Sequence, residues 1–336
     1  MRASSPRRTG SRVSDPARSQ VSIGRRLLAV FLATATFAGL GIAVGSGGTA
    51  SAAPRVQQIT LQDSCGMPPV KVRMWTRPGN YKTVIALDGL RATNDVSGWE
   101  KNTRIQDMAD SGVNVVQPVG GIASFYSDWN APSNFNNQKF RYRWKCLIDQ
   151  KLIPELDRRK LNVGPRGQYA IMGISMGGNA AMVLGANNRR ISHLFSLSGY
   201  LNLSAPGMRE AIRIALLDAG IEAGVGPFNS DSMWGPPTSP RWLENDPFVQ
   251  IGKMRNKKVR VAAGSGLQGR FPVSPIGLIQ GSPLEALSLA QSRAFQVQAL
   301  INNVPITSDF PSTGIHDWGY WSDMVFRAKN QGWFRD

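Results

Sequence analysis

The chain has 336 residues, 42% of them hydrophobic, and carries 39 Lys and Arg against 22 Asp and Glu for a formal net charge of +17. It is long and apolar enough to bury one large core, and its basic residues are spread along the chain rather than gathered into a patch, which argues against nucleic acid as a partner. The sequence contains no internal repeat, metal-ligand cluster, phosphate loop or dinucleotide fingerprint, so no metal and no cofactor is expected.

In chain order, residues 1–52 are expected to be an export signal. Arg2, Arg7, Arg8, Arg12, Arg18, Arg25 and Arg26 precede the apolar run 27–44, and Ala50-Ser51-Ala52 supplies a small-residue cleavage site. A membrane anchor is the competing reading, but Thr34, Thr36, Gly39 and Gly41 interrupt the run. Arg25-Arg26 matches a twin-arginine signal poorly, so general secretion is the expected route. Cleavage leaves residues 53–336 as one domain of 284 residues, with a net charge of about +11 once seven arginines and one aspartate are removed. Such a charge favours retention near anionic envelope polymers or lipid headgroups. Cys65 and Cys146 are the only cysteines, and an exported protein with two is expected to pair them. The bridge would tie the N-terminal strand region to a helix around residues 144–156.

Short β-rich runs follow at 83–87, 113–119, 168–172, 193–197, 258–263 and 304–308. Helical stretches at 99–110, 176–187 and 283–302 alternate with them, and Pro154 is expected to kink or end another helix. This alternation predicts the α/β class: a mostly parallel sheet with helices on both faces. Residues 207–247 break the pattern with a helix-like stretch at 208–219 followed by Gly, Pro and Trp, and form an excursion that serves either as a lid or substrate wall or as surface filler.

The motif that bears on chemistry is Gly173-Ile174-Ser175-Met176-Gly177, with an apolar strand before it and a small-residue helix after it. In such a nucleophile elbow the glycines leave room for a serine on a tight strand-to-helix turn, and the amide of the next residue, here Met176, faces the oxyanion. A second oxyanion amide belongs after an early strand, where Asp88-Gly89-Leu90-Arg91 offers Leu90. A serine hydroxyl needs a base oriented by a carboxylate. Of the two histidines, His193 opens an apolar strand and is expected to be a packed core residue, whereas His316 lies in a loop after the last strand, where the order serine, acid, histidine places the base. The acid must fall between residue 263 and His316, which leaves Glu285 and Asp309. Spacing alone does not separate them, and Ser282-Pro283-Leu284-Glu285 also has the form of a helix-capping box.

These residues resemble the secreted mycolyltransferases of the antigen 85 type. Leu87 to Ala92, Gly98-Trp99 with Asn102-Thr103, and Pro118 to Gly121 running into Ser124 to Trp129 carry the likeness. Asp231 to Pro236, Asn245-Asp246-Pro247, and His316 with Trp318 and Tyr320-Trp321 continue it in the same order. The resemblance implies an α/β-hydrolase fold, with Ser175 as nucleophile, His316 as base and Glu285 as acid. It implies Leu90 and Met176 as oxyanion amides, and Asp88, Arg91, Asn102 and Trp318 as contacts to trehalose. The implied reaction moves a mycoloyl group from trehalose monomycolate to a second sugar hydroxyl, on trehalose mycolate or on cell-wall arabinogalactan.

Three departures from the family pattern stand out. Residues 130–141 lack the cysteine pair that members often carry there, the elbow has Gly177-Gly178 where close relatives carry alanines, and the stretch before His316 is shorter by about one residue. The competing functions are a secreted carboxylesterase that hydrolyses lipid esters and a non-catalytic envelope-binding relative. Retention of the serine, the histidine and a candidate acid weighs against the latter.

Overall fold

The computed structural model describes residues 55–164 and 166–335, and the expected leader lies outside them. Eight strands form one sheet: β1 (Arg55–Leu61), β2 (Val70–Thr76), β3 (Lys82–Leu87), β4 (Val113–Pro118), β5 (Tyr169–Ile174), β6 (Ile191–Leu197), β7 (Lys258–Ala262) and β8 (Ile306–Asp309). Their order is β1-β2-β4-β3-β5-β6-β7-β8. The pairings β1–β2 and β2–β4 are antiparallel and the other five are parallel.

Apolar side chains on both faces explain why the central strands read as unbroken hydrophobic runs. Ile85 and Leu87 of β3 enter one core, while Val84 and Ala86, alternating with them, enter the other. The first core is closed by helix α1 (Met176–Asn187), almost wholly buried through small residues that let it lie close to the sheet. The second is closed by Trp321, Met324 and Val325 of the C-terminal helix. Two further helices border the site: α2 (Met208–Glu222) and α3 (Pro275–Ile301). The C-terminal helix, α4, spans Trp318–Asn330.

The expected α/β class and the six expected strands are present, and α1 has the expected bounds. Three helical expectations need correction. The stretch 99–110 divides into a helix at Gly98–Asn102 and a 3-10 turn at Ile105–Ser111, because the Thr103 hydroxyl bonds the Trp99 carbonyl and takes the Ile105 N–H. Of the two outcomes expected at Pro154, the helix does not end there, but it is distorted just before it: the chain widens into a π-helical turn at Leu147–Leu152 and continues through Ile153–Arg158. The capping box at Ser282 does not form. Helix α3 begins at Pro275, with Ser274 Oγ accepting from Gly277 N at 3.2 Å, and runs through Pro283.

Cys65 and Cys146 are bonded, with Cα atoms 6.3 Å apart. The bridge joins the turn after β1 to the helical segment at Trp144–Cys146, as expected. Among the described residues no helix is long and apolar enough to cross a membrane.

Candidate active site

The carboxyl ends of the parallel strands converge on one cavity of about 460 Å³, and Asp88, Leu90, Arg91, Asn102, Ser175, Met176, His316 and Trp318 all line it. Register explains the meeting: Leu87 pairs with Gly173, so the loop after β3 lies beside the elbow after β5. Ser175 has φ 51° and ψ −119°, a left-handed conformation that ordinary residues avoid and that the strand-to-helix turn imposes. Close packing holds it there. A Cβ on Gly177 would stand 2.3 Å from the Asp88 carbonyl oxygen, so an alanine at this position would force the β3 loop away from α1. The glycine at this departure from the family pattern thus goes with a tight β3–α1 contact. Met176 opens α1, which leaves its N–H without an acceptor inside the helix, and the residue lines the cavity.

The loop carrying Leu90 is pinned from several sides. Asp88 N–H donates to Tyr126 Oη at 3.1 Å, the Tyr126 hydroxyl donates to the Gly120 carbonyl at 3.1 Å, and the Leu90 carbonyl accepts from Ala123 N at 2.9 Å. Asp88 is 2% exposed. Its Oδ1 accepts from Ser97 Oγ at 3.0 Å, while Oδ2 is buried with no hydrogen-bond partner among the described residues. Burial pushes its carboxyl up to about 6, against the lowering effect of the hydrogen bond from Ser97. Trp318 closes the same corner, edge-on to Trp99 with ring centroids 5.5 Å apart. A Cβ on Gly98 would overlap the Trp318 ring at 2.3 Å, so Gly98 makes this packing possible. Asn102 is exposed at the rim and donates to the Gly98 carbonyl at 3.1 Å. Arg91 is 44% exposed and ion-paired to Asp218 at 2.6 Å and to Glu222, both on α2.

His316 Nδ1 lies 2.8 Å from Glu285 Oε2. Glu285 is fully buried, and its other oxygen accepts from Ser198 Oγ at 2.7 Å and from Gly264 N at 2.5 Å. Trp321 Nε1 donates to Ser198 Oγ at 2.9 Å and its ring meets His316 edge-on at 4.9 Å, so Trp321 fixes both the serine and the imidazole. Asp309 is elsewhere: its carboxylate holds Arg260 and Arg327, each at 3.2 Å, and the Arg260 side chain is only 3% exposed. His193 is 2% exposed, with Nδ1 2.8 Å from Ser192 Oγ and its ring edge-on to Trp333, the packed role expected of it.

The excursion 207–247 supplies part of the wall, since Met208, Ala211, Ile212 and Ala215 of α2 line the cavity together with residues of α3. Ser198, Tyr200 and Gly264 are site residues that the sequence reading missed, and Trp321 was noted there only for the family likeness, without a role. Ser198 and Tyr200 follow β6, Gly264 follows β7 and Trp321 lies on α4, so their contacts join segments distant in sequence, and only the Ser198-Gly199 pair after an apolar strand was a local sign of a turn.

A mostly parallel sheet with its elbow at the central strand tips, sharing one cavity with an imidazole hydrogen-bonded to a buried carboxylate, defines an α/β hydrolase of the esterase class. The family model described as "Putative esterase" matches residues 67–331. The chain belongs to the antigen 85 family of that class, whose curated members are named diacylglycerol acyltransferase/mycolyltransferase. It is 35% identical over 263 residues to Ag85C of Mycobacterium leprae, covering 77% of this chain and 76% of that one. Over 310 residues it is 34% identical to Ag85B of Mycolicibacterium smegmatis, covering 88% and 91%. The crystal structure of Mycobacterium tuberculosis MPT51 (FbpC1) superposes with a TM-score of 0.67 at 24% identity, over 82% of this chain and 97% of that one, a likeness of fold.

Proposed function

We propose that this protein is a mycolyltransferase that works through an acyl-enzyme on Ser175, taking the mycoloyl group from trehalose monomycolate and passing it to trehalose mycolate or to arabinogalactan. The observation that carries this reading is the 2.8 Å contact of His316 with the buried Glu285 in the cavity that holds Ser175. Glu285 fixes the imidazole so that its other nitrogen serves as base. Ser175 Oγ attacks the ester carbonyl, His316 takes its proton and gives it to the departing trehalose oxygen, and the same base then deprotonates the incoming hydroxyl. The amides of Leu90 and Met176 stabilise the charge on the tetrahedral intermediate, an effect of about 3 kcal/mol per donor in comparable sites. Asp88, Arg91, Asn102 and Trp318 are the sugar contacts in this reading, and the apolar wall of α2 and α3 receives the acyl chain. Residues 1–52 act as the secretion signal, which delivers the enzyme to the cell envelope and its lipid and glycan substrates.

Incubating the purified protein with trehalose monomycolate, with and without added trehalose, and resolving the products beside a Ser175→Ala control tests the proposal. Dimycolate formed by the wild type alone is the expected result. Free mycolic acid as the sole product would make the enzyme a hydrolase.

A further inference from the structure

Tyr200 follows β6 and lines the cavity with Ser175 and His316. Its ring lies nearly parallel to the His316 imidazole, 19° between planes with centroids 6.4 Å apart, and the Ser175 hydroxyl is the polar side-chain partner that offsets the burial of its phenol. The backbone there is fixed, because the Tyr200 carbonyl accepts from Asn179 Nδ2 of α1 at 2.9 Å. The two partners of this one side chain are thus the residues that exchange a proton in the reaction, a coincidence that the mechanism above does not use.

We propose that Tyr200 positions the second nucleophile: its phenol pairs with the Ser175 hydroxyl in the free enzyme and with the hydroxyl of the incoming acceptor in the acyl-enzyme. The inference rests on the serine acyl-enzyme reading. Acylation forms the bond between Ser175 Oγ and the acyl carbon, breaks the bond from that carbon to the leaving oxygen, and delivers the serine proton through His316 to that oxygen. Ser175 then has no proton to donate, and an ester oxygen is a poor acceptor. The phenol has lost its partner in a crowded site, where an unpaired polar group is unfavourable. A hydroxyl that attacks the acyl carbon must stand beside Oγ and within reach of His316, in the cavity that Tyr200 lines with its ring against that histidine. In deacylation the acceptor oxygen bonds the acyl carbon, its proton passes through His316 to Oγ, the ester bond to Ser175 breaks, and the phenol regains its first partner. The phenol keeps its own proton throughout, since burial pushes it up to about 12.

Rapid mixing of the purified protein with p-nitrophenyl butyrate separates the steps: nitrophenolate release in the first turnover reports acylation, and the steady rate, with or without trehalose as acceptor, reports deacylation. In Tyr200→Phe, which keeps the ring against His316, acylation should stay within about twofold of wild type while deacylation falls about tenfold, the loss of one positioned hydrogen bond, so that acyl-enzyme accumulates. Equal loss in both steps, as a merely structural residue would give, or no change in either, would overturn the proposal. A first-turnover burst that survives in Ser175→Ala would instead refute the acyl-enzyme reading on which it rests.

Discussion

The cavity has an inner wall of strand tips, carrying Ser175, His316 and the Leu90 loop, and an outer wall of α2, Arg91 and Asn102, and the two are held by different forces. Buried hydrogen bonds with no spare room hold the inner wall: Glu285 accepts from Ser198 and Gly264, and Gly177 packs on the Asp88 carbonyl. Ile212, Leu216 and Ala219 anchor α2 in the core, but the rim of the outer wall is tied only by exposed ion pairs, from Arg91 to Asp218 and Glu222. A buried network tolerates almost no loss of a member, whereas an exposed pair contributes little to stability and can be exchanged. In the proposed reading, chemistry is therefore fixed on one side, and adaptation to acyl chain and acceptor is left to the other.

The comparison is tested most severely at the inner wall. Glu285→Gln should lower kcat about 10²- to 10⁴-fold with little change in KM, because the imidazole loses its charged partner. Asp309→Asn should leave turnover per folded molecule within about twofold while lowering stability by about 3 kcal/mol in denaturant titration, since Arg260 is left buried without its counter-charge. The reverse ranking would assign the acid to Asp309.

A smaller effect is expected at Asp88. Its carboxyl stands at about 6 when folded and near its ordinary 3.8 when unfolded, so the folded protein holds a proton that the unfolded chain releases. Stability from this group is therefore full below about pH 4 and declines as pH rises to 6. Asp88→Asn should flatten that decline and stabilise the protein at pH 7 by about 1–3 kcal/mol, with a matching rise in Tm that disappears at pH 4. An unchanged pH profile would show that Asp88 is already charged and solvated. The smallest effect belongs to the outer wall: Arg91→Ala should change unfolding free energy by under about 1 kcal/mol, and raise KM for the trehalose ester more than it lowers kcat. A large stability loss there would erase the distinction between the walls.

The central strands were legible in the sequence because they are buried on both faces, and the elbow because its glycines are required locally. Strands β1 and β2 were not, since β1 lies at the sheet edge with every second side chain exposed and polar residues such as Gln57, Gln58 and Thr60 in the run. The start of α3 was hidden by Gly277, Gly281 and Pro283, poor helix formers that tertiary packing overrides. That same local grammar made Glu285 look like a capping residue, when its carboxylate turns inward to His316. Tyr200 was invisible for another reason: nothing beside it in the chain marks a residue that lines the cavity with Ser175 and stacks near His316.

The burial of His193 against Trp333 has a use of its own. With two histidines in the whole chain, one sealed in the core and the other in the cavity, a sample labelled with nitrogen-15 at histidine alone carries a fixed standard and a sensor within one molecule. Magnetic resonance of those two rings distinguishes a ligand that enters the cavity, which shifts one signal, from a change of solvent or a loss of fold, which shifts both.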